Sequence, residues 1–453
     1  MCSLVQKYNV PGPRYTSYPT VPFWDISTFS GKKWEETVKK SFHLSNSSTG
    51  ISIYIHLPFC ESMCTFCGCH KRITKRHDLE LPYIKSVLKE WGLYRNLFDE
   101  KPIIKELHLG GGTPTFFTPE NLKFLIEGIL RIATKADDAE FSFEGHPNNT
   151  TKEHLQALYD VGFRRVSFGV QDYNETVQKA INRIQPFENV KNVTEWSREI
   201  GYDSISHDII FGLPHQKLEH VINTIEKTKE LKPDRIAFYS YAHVPWLAGN
   251  GQRGYNDADL PAGEEKRIQY EVGKEVLLEY GYHEIGMDHF ALESDCLFKA
   301  MENGTLHRNF MGYTSSNTHL MVGLGASSIS DSWYGFAQNV KNVEEYQNLV
   351  TNDIIPLYRG HILTEEDQII RRHILNLMCQ FQTSWSVFKL HLPQLDSILD
   401  RLKELERDGI VVITEGNLRI TEKGRPFVRN VCMAFDLPLQ DKSPNTKLFS
   451  MTV

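Results

Sequence analysis

The sequence predicts an α/β fold whose main body is a partial, TIM-like (β/α) barrel. From Ile51 onwards, short strand-like runs that end in polar or glycine-rich turns alternate with amphipathic helical stretches. This alternation predicts a parallel sheet with right-handed crossovers. Six or seven such units suit a full or partial barrel better than an open doubly wound sheet. In a barrel, the chemistry gathers at the C-terminal ends of the strands.

The residues before the barrel predict an arm followed by a helix. The segment through Pro22 is rich in turn formers such as Pro11, Gly12 and Pro13. We therefore expect it to wrap over the body as an extended arm. A helix is predicted over residues 32–42, and a polar loop follows it.

The barrel itself is predicted to contain seven strands with helices between them. The strands are expected at residues 52–56, 106–109, 140–144, 165–169, 204–210, 235–240 and 283–287. The helices are expected at residues 78–97, 119–134, 152–160, 190–200, 218–231 and 263–280. Apolar residues recur in these helices at three- and four-residue spacing, as at Leu122, Leu125 and Ile126, so one face of each helix should pack on the sheet.

Beyond residue 360 the pattern changes to a mainly helical, winged-helix-like unit. Thr364, with Asp367 three residues on, can cap a helix over residues 365–381. A charged helix near residues 395–408 and a hairpin over residues 410–421 follow. The predicted division is an N-terminal arm and helix over residues 1–50, a barrel core over 51–360 and a C-terminal cap domain over 361–453.

Composition excludes several classes of protein. The net charge is −7 over 453 residues, which argues against nucleic acid or an anionic membrane as a partner, since both require a basic surface. No apolar run approaches the ~18–20 residues that span a bilayer, and the first residues lack the hydrophobic stretch of a secretory signal. We therefore expect a cytoplasmic protein that has no membrane partner.

Four of the eight cysteines fall within ten positions, which indicates a metal site in a reducing compartment. Cys60, Cys64 and Cys67 form a C-x3-C-x2-C motif on the loop after the first predicted strand. Three thiolates can hold a [4Fe–4S] cluster and leave one iron without a protein ligand, open to a small molecule. The alternative is structural zinc bound by these three cysteines and Cys69. Zinc usually takes two cysteine pairs separated by a longer stretch, so iron–sulfur is the favoured interpretation.

The cysteine spacing resembles the signature of the radical S-adenosylmethionine (SAM) superfamily. A glycine turn, Gly110-Gly111-Gly112, follows the second predicted strand directly, as that superfamily expects. Bare glycines let the backbone approach a ligand where a side chain would collide. The resemblance implies a barrel of the radical SAM type, with SAM chelating the open iron.

Within the superfamily, the whole chain resembles the oxygen-independent coproporphyrinogen III oxidases (coproporphyrinogen dehydrogenases). The matching stretches are residues 13–20, 54–60, 169–172, 241–243, 286–290, 307–310 and 429–433, with the additional Cys69. The resemblance implies a SAM site on the cluster formed by Tyr54, Gly111, Glu144 and Ile329. It implies a second SAM site lined by Phe66, Gly112, Thr113, Gln171, Arg183, Asp208 and Ala242.

The same resemblance implies the reaction. Two propionate side chains of coproporphyrinogen III would be oxidatively decarboxylated to vinyl groups by 5′-deoxyadenosyl radical chemistry, giving protoporphyrinogen IX in heme biosynthesis. Two SAM molecules would be consumed per turnover. The resemblance also suggests a monomer, and the reaction needs an electron donor such as flavodoxin or ferredoxin.

The sequence also suggests roles for four further residues. Because the substrate carries four propionates, Arg14 and Arg308 are candidate substrate-binding groups. Cys69 is expected to tune or protect the cluster, since a fourth ligand would close the open iron. His146 stands where the family is expected to carry aspartate, and we interpret it as structural or peripheral.

Three alternatives remain open at this stage. A related heme-binding chaperone would lack the additional cysteine and the arm, both of which are present here. A radical SAM methyltransferase or another tetrapyrrole-modifying enzyme would differ in its product. A cluster-sensing regulator could use the winged-helix-like unit to bind DNA. The predicted wing, however, contains Glu415 and no basic residue.

Overall fold

A twelve-stranded sheet forms the centre of the computed structural model, which describes residues 2–246, 251–252, 254–386, 392, 394–441 and 448–452. Its strands, numbered in chain order, are β1 (Ile51–Leu57), β2 (Ile103–Gly111), β3 (Thr134–Gly145), β4 (Arg165–Gln171), β5 (Ser204–Phe211), β6 (Arg235–Ser240), β7 (His283–Gly286), β8 (His289–Ala291), β9 (Leu320–Leu324), β10 (Ile329–Ser332), β11 (Gly335–Asn339) and β12 (Leu357–Ile362). Their spatial order is β12-β11-β10-β9-β1-β2-β3-β4-β5-β6-β8-β7.

The middle of this sheet is parallel and its two edges are antiparallel. Strands β9 and β1 to β6 pair in parallel. Strands β10 to β12 extend one edge and β8 and β7 the other, all by antiparallel pairing. The sheet does not close on itself, because β12 and β7 are its ends. The predicted partial (β/α) barrel is therefore confirmed.

Helices connect the parallel strands and cover the outside of the sheet. They are Glu80–Arg95, Pro119–Arg131, Lys152–Asp160, Glu175–Ala180, Phe187–Ile200, Leu218–Leu231 and Gly263–Glu279. The predicted helical stripe is buried, with Leu122, Leu125 and Ile126 inaccessible to solvent. These side chains and those of β1 to β4 form the largest apolar core, which fixes the strand ends at which the site is built.

The last predicted barrel strand exists, but it does not continue the parallel series. Strand β7 pairs with β8 in antiparallel fashion, and β8 pairs likewise with β6. The seventh parallel strand is instead β9, which lies beside β1. The sequence analysis assigned no strand between residues 320 and 362, because these runs are short and only one helix, Val343–Thr351, separates them.

The N-terminal arm departs from the expectation in its first residues. Cys2–Tyr8 is an α-helix, so the prediction of an extended arm is wrong there. The helix forms because Val5 and Tyr8 lie on one face and are buried in the core of the C-terminal region. Tyr15 and Tyr18 are buried in the same core. The predicted helix after the arm is present at Gly31–Ser45.

The C-terminal region contains helices and a small sheet. The helices are Glu365–Gln380, Leu395–Arg407, Val428–Phe435 and Leu437–Asp441. The predicted cap is confirmed, because the Thr364 side chain accepts a hydrogen bond from the Asp367 backbone N–H and the Asp367 carboxylate accepts one in return. The predicted hairpin, Val411–Thr414 with Asn417–Ile420, gains a third strand, Gln382–Ser384.

Seven shorter helices and two short strand pairs complete the chain that the structure describes. The helices are Cys296–Glu302, Val343–Thr351 and the 3-10 helices Val21–Phe23, His77–Leu79, Pro114–Phe116, Asp257–Asp259 and Glu422–Phe427. Phe59–Cys60 pairs with Arg72–Ile73, and His307–Asn309 pairs with Gly312–Thr314. Within the described ranges, no helix has the length and apolar character needed to cross a bilayer.

Candidate active site

A cavity of about 420 Å³ opens at the C-terminal ends of β2 to β5. It brings together eleven of the residues that the sequence analysis singled out as cluster or SAM ligands. They are Cys60, Cys64, Phe66, Cys67, Gly111, Gly112, Thr113, Glu144, Gln171, Arg183 and Asp208. Chain positions almost 150 apart thus meet at one edge of the sheet, which is where a barrel places its chemistry.

The cysteine loop is fastened at its base and at its far side. The pairing of Phe59–Cys60 with Arg72–Ile73 closes the base of the loop, directly after β1. On the far side, the Thr65 backbone N–H donates to the Ile181 carbonyl at 3.0 Å, and the Asn182 side chain donates to the Met63 carbonyl at 2.8 Å. These contacts hold the loop against the turn that follows the helix Glu175–Ala180, and all three thiol-bearing residues line the cavity.

The thiols have different electrostatic environments. A hydrogen bond with Cys69 lowers the pKa of Cys67 to about 6 despite its burial. The positive charges of Lys71 and Arg183 make smaller contributions in the same direction. Burial raises the pKa of Cys60 to about 11, although its Sγ lies 3.3 Å from the Thr113 hydroxyl. Because metal ligation requires thiolates, a bound cation is needed to ionise Cys60 at neutral pH.

The donor set fits a cluster better than a single ion. Among the described residues, no group of three or more His, Cys, Asp or Glu side chains is arranged to hold one metal ion. A zinc site would need such convergence, whereas a [4Fe–4S] cluster spreads its thiolates over separate irons. Cys69 lines the same cavity beside these thiols and is solvent-accessible.

The glycine turn after β2 lines the cavity, and the surrounding backbone and side chains leave no room for a Cβ at Gly111 or Gly112. A Cβ on Gly112 would lie 2.6 Å from the Pro58 carbonyl oxygen, and one on Gly111 would lie 2.9 Å from His56 Nδ1. Gly111 also has φ of +121°, a conformation that favours glycine. The turn is bound to the cysteine loop, since the Thr113 backbone N–H donates to the Phe59 carbonyl at 3.0 Å.

Two carboxylates stand on the strand ends opposite the cysteines. The Glu144 side chain is nearly half exposed to the cavity, and its Oε1 lies 3.5 Å from His108 Nε2. Asp208 accepts a hydrogen bond from the Ser167 hydroxyl at 2.8 Å. Burial, with a contribution from Glu144, raises the pKa of Asp208 to about 7. The two groups can accept hydrogen bonds from amino or hydroxyl groups of a ligand.

Three predicted ligands lie just outside this cavity. Tyr54 and Ile329 line a neighbouring cavity of about 320 Å³, which shares Gly111 and Glu144 with the first. Ala242 is placed beside Phe66, because the Gln252 side chain donates to the carbonyl oxygens of both. Of the residues predicted to contact SAM, all except Ala242 line one or both of these two cavities.

The two predicted substrate arginines do not line the cysteine cavity. Arg14 donates to Asp288 at 2.9 Å and to the Ser240 carbonyl at 3.3 Å, at the end of β6. Arg308 is 6% exposed and lies over the Tyr313 ring, with its guanidinium carbon 4.5 Å from the ring centroid.

Sequence reasoning missed several polar groups that complete the site. Ser167 and His108 bind the two carboxylates, and both lie on parallel strands with their side chains inside the barrel. The signal was the two-residue alternation of polar residues along β2 and β4. His146 lies at the rim of the cavity, where its Nδ1 accepts from the Asn148 backbone N–H, and burial lowers its pKa to about 3.

The fold and this site together define a class of enzyme. A partial (β/α) barrel with three cysteines on the loop after its first strand is a radical SAM enzyme. The sequence model of the radical SAM superfamily matches residues 54–228, and that of the HemN C-terminal domain matches residues 363–427.

Comparison of the whole chain identifies the family. The chain is 38% identical to the oxygen-independent coproporphyrinogen III oxidase of Synechocystis sp., over 99% of this chain and 97% of that protein. It is 36% identical to the Escherichia coli protein of the same name, over 97% and 96% of the two chains. The solved structure of coproporphyrinogen III oxidase from Escherichia coli, a radical SAM enzyme, superposes with a TM-score of 0.89 at 34% identity, covering 96% and 98% of the chains. The chain belongs to the family of oxygen-independent coproporphyrinogen III oxidases.

Membership confirms the fold class and the enzyme class that the sequence predicted. It also implies a [4Fe–4S] cluster and SAM as cofactors, in agreement with the donor set of the cavity.

Proposed function

We propose that the protein converts coproporphyrinogen III to protoporphyrinogen IX by oxygen-independent oxidative decarboxylation of two propionate side chains. The observation that carries this proposal is the convergence of three thiols, the glycine turn and two carboxylates on one cavity. Its support is the similarity of the whole chain to relatives named for this reaction.

Cys60, Cys64 and Cys67 would hold the cluster at three of its irons. When bound, a reduced [4Fe–4S] cluster supplies the electron for homolytic cleavage of SAM, which is the radical chemistry that the reaction requires. The SAM on the cluster would contact Tyr54, Gly111, Glu144 and Ile329. The second would contact Phe66, Gly112, Thr113, Gln171, Arg183, Asp208 and Ala242.

The protein's own side chains and backbone groups bind SAM and orient it. The Glu144 carboxylate attracts the positive charge of SAM, and the glycine turn lets backbone groups approach the methionine portion. Asp208, when ionised, accepts hydrogen bonds from ribose hydroxyls. Phe66 lines the cavity and packs against the apolar cluster around Tyr241.

Several further features belong to the same proposal. The protein receives electrons from a one-electron carrier such as flavodoxin or ferredoxin, acts as a monomer in the cytoplasm and requires no nucleic acid. Arg14 and Arg308 face propionates of the substrate. Cys69 tunes or protects the cluster and leaves its fourth iron open. The chain divides functionally into the arm, the barrel and the C-terminal cap, with boundaries near residues 50 and 360.

The test is anaerobic reconstitution with iron and sulfide, followed by incubation with a chemical reductant, SAM and coproporphyrinogen III. We expect protoporphyrinogen IX and two equivalents of carbon dioxide, and no product from the Cys67→Ala variant. Heme binding without product would support the chaperone alternative instead. A methylated tetrapyrrole would support the methyltransferase alternative, and either result would contradict the proposal.

A further inference from the structure

A cavity of about 60 Å³ lies where the N-terminal arm, the barrel and the C-terminal region meet. Phe211 ends β5 and Ser240 ends β6, so the cavity lies at the C-terminal edge of the parallel strands. Its other walls come from Arg14 of the arm, from the helix Gly263–Glu279 and from the C-terminal region. It shares no lining residue with the cysteine cavity and is a separate space.

The charges around this cavity are unbalanced. Two carboxylates line it, and each is already paired, Asp288 with Arg14 at 2.9 Å and Glu284 with Lys274 at 2.6 Å. Five cations against these two carboxylates leave an excess of positive charge, in a chain whose net charge is −7. The five are Arg14, Lys266, Arg267, Arg425 and Arg429.

Two of these cations have no carboxylate partner within the described ranges. Arg429 is 4% exposed and donates only to backbone carbonyls. Lys266 Nζ donates to the Tyr241 carbonyl at 2.7 Å. Burial, followed by the charge of Arg14, lowers the pKa of Lys266 to about 8 and that of Arg429 to about 9. Cations in such surroundings are costly without a counter-ion, so an anionic ligand would stabilise both.

Three of the cations keep hydrogen-bond donors for such a ligand. Lys266 uses one of its three N–H groups for the Tyr241 carbonyl. Arg425 pairs with Glu422 through Nε at 3.0 Å, and its Nη atoms make no hydrogen bond in the part of the chain that the structure describes. The side chain of Arg267 is 12% exposed, and its buried Nε has no partner among the described residues. These groups can donate the charge-assisted hydrogen bonds that a carboxylate accepts.

Apolar side chains complete the cavity and indicate what the anion carries. Phe211, Met287, Phe381 and Val428 all line it. An inorganic anion would leave these apolar surfaces without a partner, whereas a carboxylate on a short carbon chain matches both kinds of wall. The volume of about 60 Å³ exceeds several times the ~10–15 Å³ that one water needs, so a carboxylate with one or two methylene groups fits.

We propose that this cavity binds a short-chain carboxylate, with Lys266 and Arg425 donating to its oxygens. Its carbon chain packs on the apolar walls, and Arg14 and Arg429 add positive charge. The ligand has two sources of the same chemistry, a propionate side chain of the tetrapyrrole and a free carboxylate in solution. The first source rests on the proposed function. The carboxylate site itself rests on the cavity and its charges.

The first experiment measures the melting temperature of the anaerobically reconstituted protein without SAM, in sodium propionate and in sodium chloride of equal ionic strength. Propionate at about ten times its dissociation constant should raise the wild-type value by about 2 °C over chloride. Lys266→Met and Arg425→Gln should lose this rise. The matched control Lys123→Met, which removes a lysine from an exposed helix face, should keep it.

The same variants separate a ligand role from a structural one. In chloride, Lys266→Met should melt no lower than wild type, because it removes a cation that lacks a carboxylate partner and keeps a side-chain stem against Gly212. Arg425→Gln provides the test if Lys266→Met does not fold. A propionate-induced rise as large in the folded variants as in wild type would overturn the site. A larger rise in sodium phosphate than in propionate, lost in Lys266→Met, would overturn the assignment to a carboxylate.

A second experiment identifies the source, through binding of coproporphyrin III measured by its own fluorescence. If a tetrapyrrole propionate occupies the site, Lys266→Met should raise the dissociation constant about tenfold and added propionate should compete. Coproporphyrin III tetramethyl ester, in the same detergent, should then bind both proteins equally. If a free carboxylate occupies the site, both proteins should bind the acid equally while propionate stabilises wild type alone.

The site is overturned if neither propionate nor coproporphyrin III distinguishes wild type from the Lys266 and Arg425 variants. Failure of the proposed function gives a different result. A wild type that propionate stabilises through Lys266, but that forms no protoporphyrinogen, would support the site and contradict the reaction.

Discussion

Replacing Asp208 by asparagine should stabilise the free protein and weaken its binding of SAM. The carboxyl group ionises above pH 3.8 in the unfolded chain but only above about pH 7 in the folded one, because burial raises its pKa. Folding stability contributed by this group is therefore complete below pH 3.8 and is lost as the pH rises to 7. Above pH 7 the folding stability lost through ionisation of Asp208 no longer changes with pH.

The pKa values set the size of the effect. A rise from 3.8 to about 7 corresponds to about 4 kcal/mol at pH 8 and to about 1.6 kcal/mol at pH 5. These are upper values, since water in the cavity screens the carboxylate. Asparagine keeps an oxygen for the Ser167 hydroxyl, so Asp208→Asn should gain up to about 3 kcal/mol on wild type between pH 5 and pH 8.

The assay is urea unfolding under anaerobic conditions without SAM, followed by tryptophan fluorescence at pH 5, 6, 7 and 8. Asp203→Asn is the control, because Asp203 is exposed at the start of the same strand region. At pH 8, Asp208→Asn should also weaken SAM binding about tenfold, the value of one charge-assisted hydrogen bond. A stability difference that is the same at pH 5 and pH 8 would refute the reasoning.

Two further predictions concern the cluster loop. Gly112→Ala should lower the iron retained after reconstitution severalfold, because its Cβ would lie 2.6 Å from the Pro58 carbonyl oxygen. The control Gly68→Ala should leave the iron content unchanged, since nothing lies within 4 Å of a Cβ there. Equal iron in both variants would contradict the packing argument. Cys67→Ala should lose the cluster spectrum, while Cys69→Ala should retain about four irons per chain if three thiols suffice. Loss of iron from Cys69→Ala would show that it is a ligand.

Local patterns explain which parts of this structure were predictable. Most barrel strands and helices were placed to within a few residues, because each strand is followed by its own amphipathic helix. The exceptions are the start of β3, which lies six residues before the predicted start, and the helix Glu175–Ala180, which was not predicted. The cysteine loop was identified because its spacing is contained in eight consecutive residues. Strands β9 to β12 were not predicted, since a run such as Leu320–Leu324 carries no periodicity that separates strand from helix.

Long-range pairing explains what the sequence could not reveal. Arg14 and Arg308 received the same interpretation, because nothing near either residue in the chain distinguishes them. The structure separates them through Asp288, which pairs with Arg14 across 274 positions. His289 was part of a matched stretch, but its unsatisfied Nδ1 becomes visible only once Tyr313 and Arg308 are packed around it.

The clasp between the two ends of the described chain has a consequence for biosynthesis. Arg429 donates to the carbonyls of Gly12, Pro13 and Met451, and the Thr452 hydroxyl donates to the Tyr8 carbonyl. Residues 8–13 therefore find these partners only after residues 429–452 have been synthesised.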